Sequence, residues 1–291
     1  MNTTTRMHTR PTGVRKFVLA LLSTLALIGA AVSTASAEET LQDVLKKGYV
    51  DLGIGAGGFP YAAVSPEGKP IGAAPEISIA ALKVMGITDV RPQVVDWGAL
   101  IPGLIAGRYD LVSTGLFMNG ERCQAVLFSQ PDTCSTQAFL VPKGNPKNLR
   151  KFADLSADKS LKVTMAPGSN EVRLAKEAGV SDEQMLTNTD VQSRLKLLET
   201  GRVDVWVDPS DTFSALEGIS DKFDTVQVEG APVACAGAVF RKDSASFRDA
   251  YDEALSKVKE SGEFDTILKK YGFPADLAKQ QNRDALCGMK N

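Results

Sequence analysis

Gly53-Ile54-Gly55-Ala56-Gly57-Gly58 is the stretch of this 291-residue chain whose spacing matches a phosphate-cradling glycine loop. The G-x-G-x-x-G pattern works when a helix starts behind it and aims its free N–H groups at a pyrophosphate. Here Phe59-Pro60-Tyr61 follows, then Ser65-Pro66-Glu67-Gly68-Lys69-Pro70, which is loop and turn chemistry. The segment therefore reads as the wall of a binding cleft at the end of a strand, and no cofactor is implied.

His8 is the only histidine, and it lies in a segment that reads as an export signal. Arg10, Arg15 and Lys16 precede an apolar run from Phe17 to Val32, and the small residues Ala35 and Ala37 fit a cleavage site before Glu38. The run is shorter than the roughly 20 residues that span a membrane comfortably. Once residues 1–37 are removed, no histidine remains. Ser-His-Asp and Cys-His catalysis are then excluded, as are histidine-ligated metal sites. Four basic residues and no acidic ones leave with the segment, so 29 Lys+Arg stand against 35 Asp+Glu. An acidic chain without a basic stripe is a poor partner for nucleic acid.

Cys123, Cys134, Cys235 and Cys287 remain. Their spacing does not suit zinc, and an even count in an oxidising compartment points to two disulfides, with three possible pairings and buried free thiols as the alternative.

The elements that position these residues alternate short apolar runs with helical stretches, the rhythm of an α/β protein. Strands are expected over 50–54, 90–95, 110–114, 161–165 and 203–207. Helices are expected from Pro75, at its favoured first position, to Gly86, and over 99–106, 170–178, 190–200, 244–261 and 263–271, before an irregular tail. Leu104-Ile105-Ala106-Gly107-Arg108-Tyr109-Asp110 is echoed by Leu198-Glu199-Thr200-Gly201-Arg202-Val203-Asp204. Each reads as a helix end, a left-handed glycine cap and a strand returning to a parallel sheet, which suggests two similar lobes. The extended apolar segments 135–141 and 236–240 read as connections between them. Cys134 and Cys235 each stand just before one connection. If the connections run side by side, these two cysteines pair across them and Cys123 joins Cys287.

Pro60-Tyr61, Gly72 to Glu76, Leu100-Ile101-Pro102-Gly103-Leu104, Gly107-Arg108-Tyr109-Asp110 and Glu121-Arg122-Cys123 occur in an order that resembles the type II periplasmic binding proteins of polar amino-acid ABC transporters. Lys143-Gly144-Asn145-Pro146-Lys147-Asn148-Leu149 and the closing Cys287 bring the resemblance nearest to the ectoine/hydroxyectoine-binding branch. It covers essentially the whole chain after residue 37. It implies an α/β fold of two lobes, each a mixed sheet flanked by helices, joined by two hinge strands. Lobe one is expected over 38–138 and 240–291, and lobe two over 139–239.

The resemblance also implies a site. Arg122 stands where the family clamps the ligand carboxylate, a role its fork geometry suits. Tyr61, Trp97 and Phe117 match an aromatic box for a delocalised cation, Phe59 adds a wall, and Gly115 lies with them. From the second lobe, Gly168-Ser169-Asn170-Glu171 opens a helix whose free N–H groups can hold a carboxylate; Ser169 or Asn170 is equally a plain helix cap. Asp208 matches the aspartate that takes an α-amino group, with Ser210 and Asp211 as rivals. The branch carries an acidic residue where this chain has Gly58, so Glu171 or Asp208 would have to supply that contact. The ligand stays open among ectoine, hydroxyectoine, a betaine and a cyclic or ordinary polar amino acid. The expected protein is a periplasmic monomer that closes on a small zwitterion and docks on a membrane permease. The rivals are a cyclohexadienyl dehydratase-like enzyme on the same fold and a ligand-sensing partner of a membrane receptor.

Overall fold

The computed structural model describes residues 36–56 and 58–288. The expected export segment lies outside the described residues, apart from Ser36 and Ala37 at the start of the helix Ser36–Lys47.

Val50, Leu52 and Ile54 are fully buried within β1 (Tyr49–Gly55), which is paired on both sides in the first sheet. The hairpin β2 (Ala63–Val64) and β3 (Pro70–Ile71) follows, then β4 (Asp89–Val95), β5 (Leu111–Val112) and β6 (Leu127–Phe128). The chain crosses through β7 (Thr133–Ser135) into β8 (Gln137–Pro142), β9 (Val163–Thr164), β10 (Val205–Pro209) and β11 (Phe223–Gln227). It returns through β12 (Ala234–Ala236) to β13 (Val239–Phe240).

Two main sheets result. The first has the order β4-β1-β5-β13-β6, with β1 parallel to β4 and β5, and β13 antiparallel to β5 and β6. Pro92 is tolerated in β4 because that strand lies at the sheet edge. The second has the order β11-β8-β10-β9, with β10 parallel to β9 and antiparallel to β8. Val205 and Val207 face one core while Trp206 faces another, so this part of β10 is apolar on both faces and covered on both. The first sheet has a core of its own, built on Leu52, Ile54, Ile77, Phe128, Phe240 and Phe247.

The internal echo extends to individual hydrogen bonds. Gly107 and Gly201 have φ of 69° and 67°. The Asp110 N–H donates to the Asp51 carbonyl (2.9 Å), and the Asp110 carboxylate accepts from the Asp51 N–H (2.8 Å). Asp204 makes the same pair of bonds with Lys162, each 2.8 Å. One helix-to-strand joint is thus built twice, once in each sheet.

The disulfides are Cys134–Cys235 and Cys123–Cys287. β7 and β12 run antiparallel with Cys134 opposite Cys235, so the first bond crosses the two connections.

Several elements differ from expectation. The helix expected to open at Pro75 spans Ala73–Val84. Pro75 is its third residue, still in the first turn, where a missing N–H breaks no helical bond. The extended stretches expected to be connections run on into the sheets, as β8 and β13. The tail is not irregular: Pro274 precedes a short helix, Ala275–Lys279, and another, Arg283–Gly288, carries Cys287. The strand expected over 203–207 is Val205–Pro209, because Asp204 is held in the joint described above.

Candidate functional site

The strands β1, β5, β9 and β10 end on one cavity, the usual place for a ligand in open α/β sheets. The empty space there is about 590 Å³, its open mouth included. The part built on the first sheet contributes Ala56, Gly58, Tyr61, Trp97, Thr114, Gly115, Phe117 and Arg122; the part built on the second contributes Ala166, Ser169, Asn170, Glu171, Thr189, Arg194, Asp208, Pro209 and Thr212. Nine of the ten expected ligand residues therefore meet at one place. Phe59 does not: it is 47% exposed and stands edge-on to Tyr271 with ring centroids 6.1 Å apart. Pro60 separates it from Tyr61, which turns inward and is buried.

The aromatic wall is fixed from behind. Tyr61 stands edge-on to Phe117 at 5.8 Å and to Phe273 at 4.6 Å. Gly115, at φ 77°, leaves its Cβ space to the Tyr61 ring. Gly55 does the same for Trp97, whose indole lies where a Cβ would stand. The Trp97 Nε1 is buried without a protein partner.

Arg122 lies on the helix Gly120–Ala125, capped by Asn119, whose side-chain Oδ1 accepts from the Arg122 N–H. Its guanidinium donates to the Phe117 carbonyl (2.7 Å) and to the Gly168 carbonyl (3.0 Å). The second bond crosses the cleft, as does the one from Tyr61 Oη to Asp211 Oδ2 at 3.4 Å. Burial lowers the Arg122 pKa to about 10, against the pull of the nearby Glu171.

Glu171 stands in the first turn of the helix Asn170–Glu177, whose cap Ser169 accepts from the Val172 N–H. Its carboxyl is buried, and Oε1 has no hydrogen-bond partner. Burial and then the neighbouring Asp208 push it up to about 7. Asp208 is also buried and also raised by burial, but it has a partner: Arg194 Nη2 donates to its Oδ2 at 3.0 Å. Of the rivals for the ligand cation, Asp211 accepts from Tyr61, and the Ser210 hydroxyl lies 3.1 Å from Thr136 Oγ1.

Sequence reasoning did not single out Arg194. A signal exists: in the helix Val191–Glu199 it occupies the same stripe as Val191, Leu195 and Leu198, a charge where the periodicity calls for an apolar side chain. Arg194 Nη1 also donates to the carbonyls of Asn188 and Thr189.

The arrangement offers a cationic clamp, an aromatic wall and an acid with one unpartnered oxygen around one cavity. Among the described residues, no group of three or more His, Cys, Asp or Glu side chains is placed to hold a metal ion. No described helix is long and apolar enough to cross a membrane.

Over residues 50–274 the sequence matches the bacterial extracellular solute-binding proteins, family 3. It is 30% identical over 252 residues to the probable amino-acid ABC transporter periplasmic-binding protein y4tE of Sinorhizobium fredii, covering 82% of each chain. The crystal structure of EhuB in complex with hydroxyectoine is similar at a TM-score of 0.83 and 40% identity, covering 87% of this chain and 100% of that one. The ancestral amino acid-binding protein AncCDT-1, a precursor of cyclohexadienyl dehydratase, shares the fold at a TM-score of 0.71 and 24% identity, covering 80% of this chain and 99% of that one.

Proposed function

The chain belongs to the bacterial extracellular solute-binding proteins, family 3, and from that premise we propose that it captures a compact zwitterion of the ectoine, betaine or small amino-acid class for an ABC importer. The observation that carries this reading is the placing of Arg122 and of Glu171, whose Oε1 has no hydrogen-bond partner, around one aromatic-walled cavity. Arg122 takes the ligand carboxylate in a charge-assisted pair. Glu171 accepts from the N–H groups of the ligand cation, whose diffuse charge lies against Tyr61, Trp97 and Phe117, each such contact worth about 0.5–2 kcal/mol according to desolvation. Ectoine and hydroxyectoine meet these requirements with a ring amidinium and a carboxylate. EhuB, the similar chain of known structure, was crystallised with hydroxyectoine.

On this reading residues 38–138 with 240–291 form one lobe and residues 139–239 the other. A ligand touching both stabilises the closed arrangement, the hinge motion running through β7 and β12. The segment 1–37 is removed on export, and the monomer works in the periplasm, presenting its closed form to a membrane permease. It binds no nucleic acid and is not an enzyme.

The test is a calorimetric titration of ligand-free protein, its disulfides intact, with ectoine, hydroxyectoine, glycine betaine and the amino acids. One-to-one binding of a net-neutral zwitterion, lost in Arg122→Ala and Phe117→Ala, is the expected result. Turnover of a prephenate-like substrate would replace this reading with catalysis by Glu171. Binding of none of these compounds, without turnover, would leave the sensor role.

A further inference from the structure

The cavity contains two arginines and two acids, and one pair is already spent. Arg194 and Asp208 are joined at 3.0 Å with side chains only 3% and 6% exposed, so neither charge is screened by water. Arg194 Nη1 is held by two backbone carbonyls, while its Nε is buried and donates to nothing. Both residues line the cavity. Counted over that lining, Arg122 and Arg194 balance Glu171 and Asp208 once both acids are ionised.

We propose that Arg194 is a specificity-determining residue: by neutralising Asp208 it withdraws that acid from the ligand and restricts the site to net-neutral zwitterions. This rests on the zwitterion reading above and deepens it. A buried ion pair presents little net field to a third charge, whereas removing one partner leaves the other uncompensated in a poorly solvated place. A ligand carrying the missing charge then supplies the compensation. A cationic side chain entering the intact cavity meets Arg194 and Asp208 together, and gains nothing from the acid that it does not lose to the guanidinium. Without Arg194, the Asp208 carboxylate and the carbonyls of Asn188 and Thr189 form an unsatisfied acceptor set of the size a guanidinium or ammonium fills.

The experiment compares selectivities within each folded variant. Wild-type protein, Arg194→Gln, Asp208→Asn and the double variant are titrated with ectoine, glycine, L-arginine, L-lysine and L-glutamate, with thermal unfolding to confirm a cooperative fold. In Arg194→Gln the ratio of L-arginine to neutral-zwitterion affinity rises at least tenfold. In Asp208→Asn the same ratio falls, and L-glutamate gains at least tenfold on the neutral ligand. The double variant returns to the wild-type order. A purely structural role for the pair lowers all affinities together and leaves the ratios unchanged, which overturns the proposal. If one single variant does not fold, the opposite shift in the other decides. A wild-type protein that binds no net-neutral zwitterion overturns the functional reading itself, a result separate from an unmoved ratio in a protein that does bind one.

Discussion

Gly115 and Tyr61 share one space: a Cβ built on Gly115 would stand 2.6 Å from Cγ of the Tyr61 ring, closer than any real Cβ contact. The ring is held from its other sides by Phe117 and Phe273 and cannot retreat without disturbing either. Gly115 also has φ 77°, a left-handed conformation that costs a residue with a Cβ about 1–2 kcal/mol.

Gly115→Ala therefore carries two penalties, one in the backbone and one in the aromatic wall. The expected outcome is a lower unfolding temperature together with a loss of ligand affinity of at least tenfold, read by thermal melting and calorimetry. A variant that loses stability but keeps full affinity would show that Tyr61 does not shape the bound ligand's surface.

The pH dependence of binding follows from Glu171. Its carboxyl is held up to about 7, first by burial and then by Asp208, whereas an unfolded chain ionises it near about 4.3. Between these values the fold keeps a proton that the unfolded chain has lost, so this group's contribution to ligand-free stability falls as pH rises through that window and is level above it. A ligand N–H that pairs with the carboxylate favours the ionised form. Affinity is therefore expected to rise with pH up to about 7 and then flatten, with a proton released on binding at pH 6 and none at pH 8.5. Titration in buffers of different ionisation enthalpy measures that proton directly, and Glu171→Gln should abolish its release. Proton release that persists in Glu171→Gln would assign it to another group.

Cys134 and Cys235 join the two connections outside the cavity, since neither is among its lining residues. Closing a loop with a sequence separation of 101 residues stabilises the fold by up to about 4.7 kcal/mol in the chain-entropy model. The double variant Cys134→Ser/Cys235→Ser should thus unfold at markedly lower urea while its ligand affinity stays within about threefold of wild type. A collapse in affinity at unchanged stability would mean instead that the disulfide sets the balance between open and closed arrangements.

The parts of this site legible in the sequence are those whose chemistry is local. Tyr61 and Phe117 stand between strands and Trp97 opens a single helical turn just after β4, so none belongs to a long apolar stripe, and an aromatic there already suggests a surface meant for something else. The twin joints at Gly107 and Gly201 could be read because glycine followed by arginine, an apolar residue and aspartate fixes a cap and a return strand within a few residues. The pairing of Arg194 with Asp208 could not be read in this way. It joins a helix to a strand 14 residues on, and its meaning depends on both side chains being buried together. Phe59 was misplaced for the converse reason. Residue type alone does not say which of two aromatics flanking Pro60 turns inward, and the inner place was taken by the ring that packs on Phe117 and Phe273.

Gly58 offers the sharpest test of the ligand class, because it is a cavity residue with room for a side chain. A Cβ there would meet Ala62 O at 3.4 Å and Thr114 Oγ1 at 3.7 Å, close to ordinary contact, and its φ is not in the left-handed range. The ectoine-binding branch that the sequence resembles carries an acid at this position, so Gly58→Glu restores that acid on the side opposite Glu171. A second carboxylate in a poorly solvated cavity strengthens the attraction for a delocalised cation whose N–H groups point both ways. It does little for an α-ammonium already satisfied by Glu171. If ectoine is the ligand, Gly58→Glu should bind it at least tenfold more tightly while leaving the amino acids of the panel within a few-fold. If the natural ligand is a compact amino acid, the added side chain fills part of its place: that affinity falls, and no gain for ectoine accompanies the loss. Calorimetry on the one variant separates the two, and the Glu171→Gln background sharpens the answer. There, Gly58→Glu rescues ectoine binding only when both acids read the same cation.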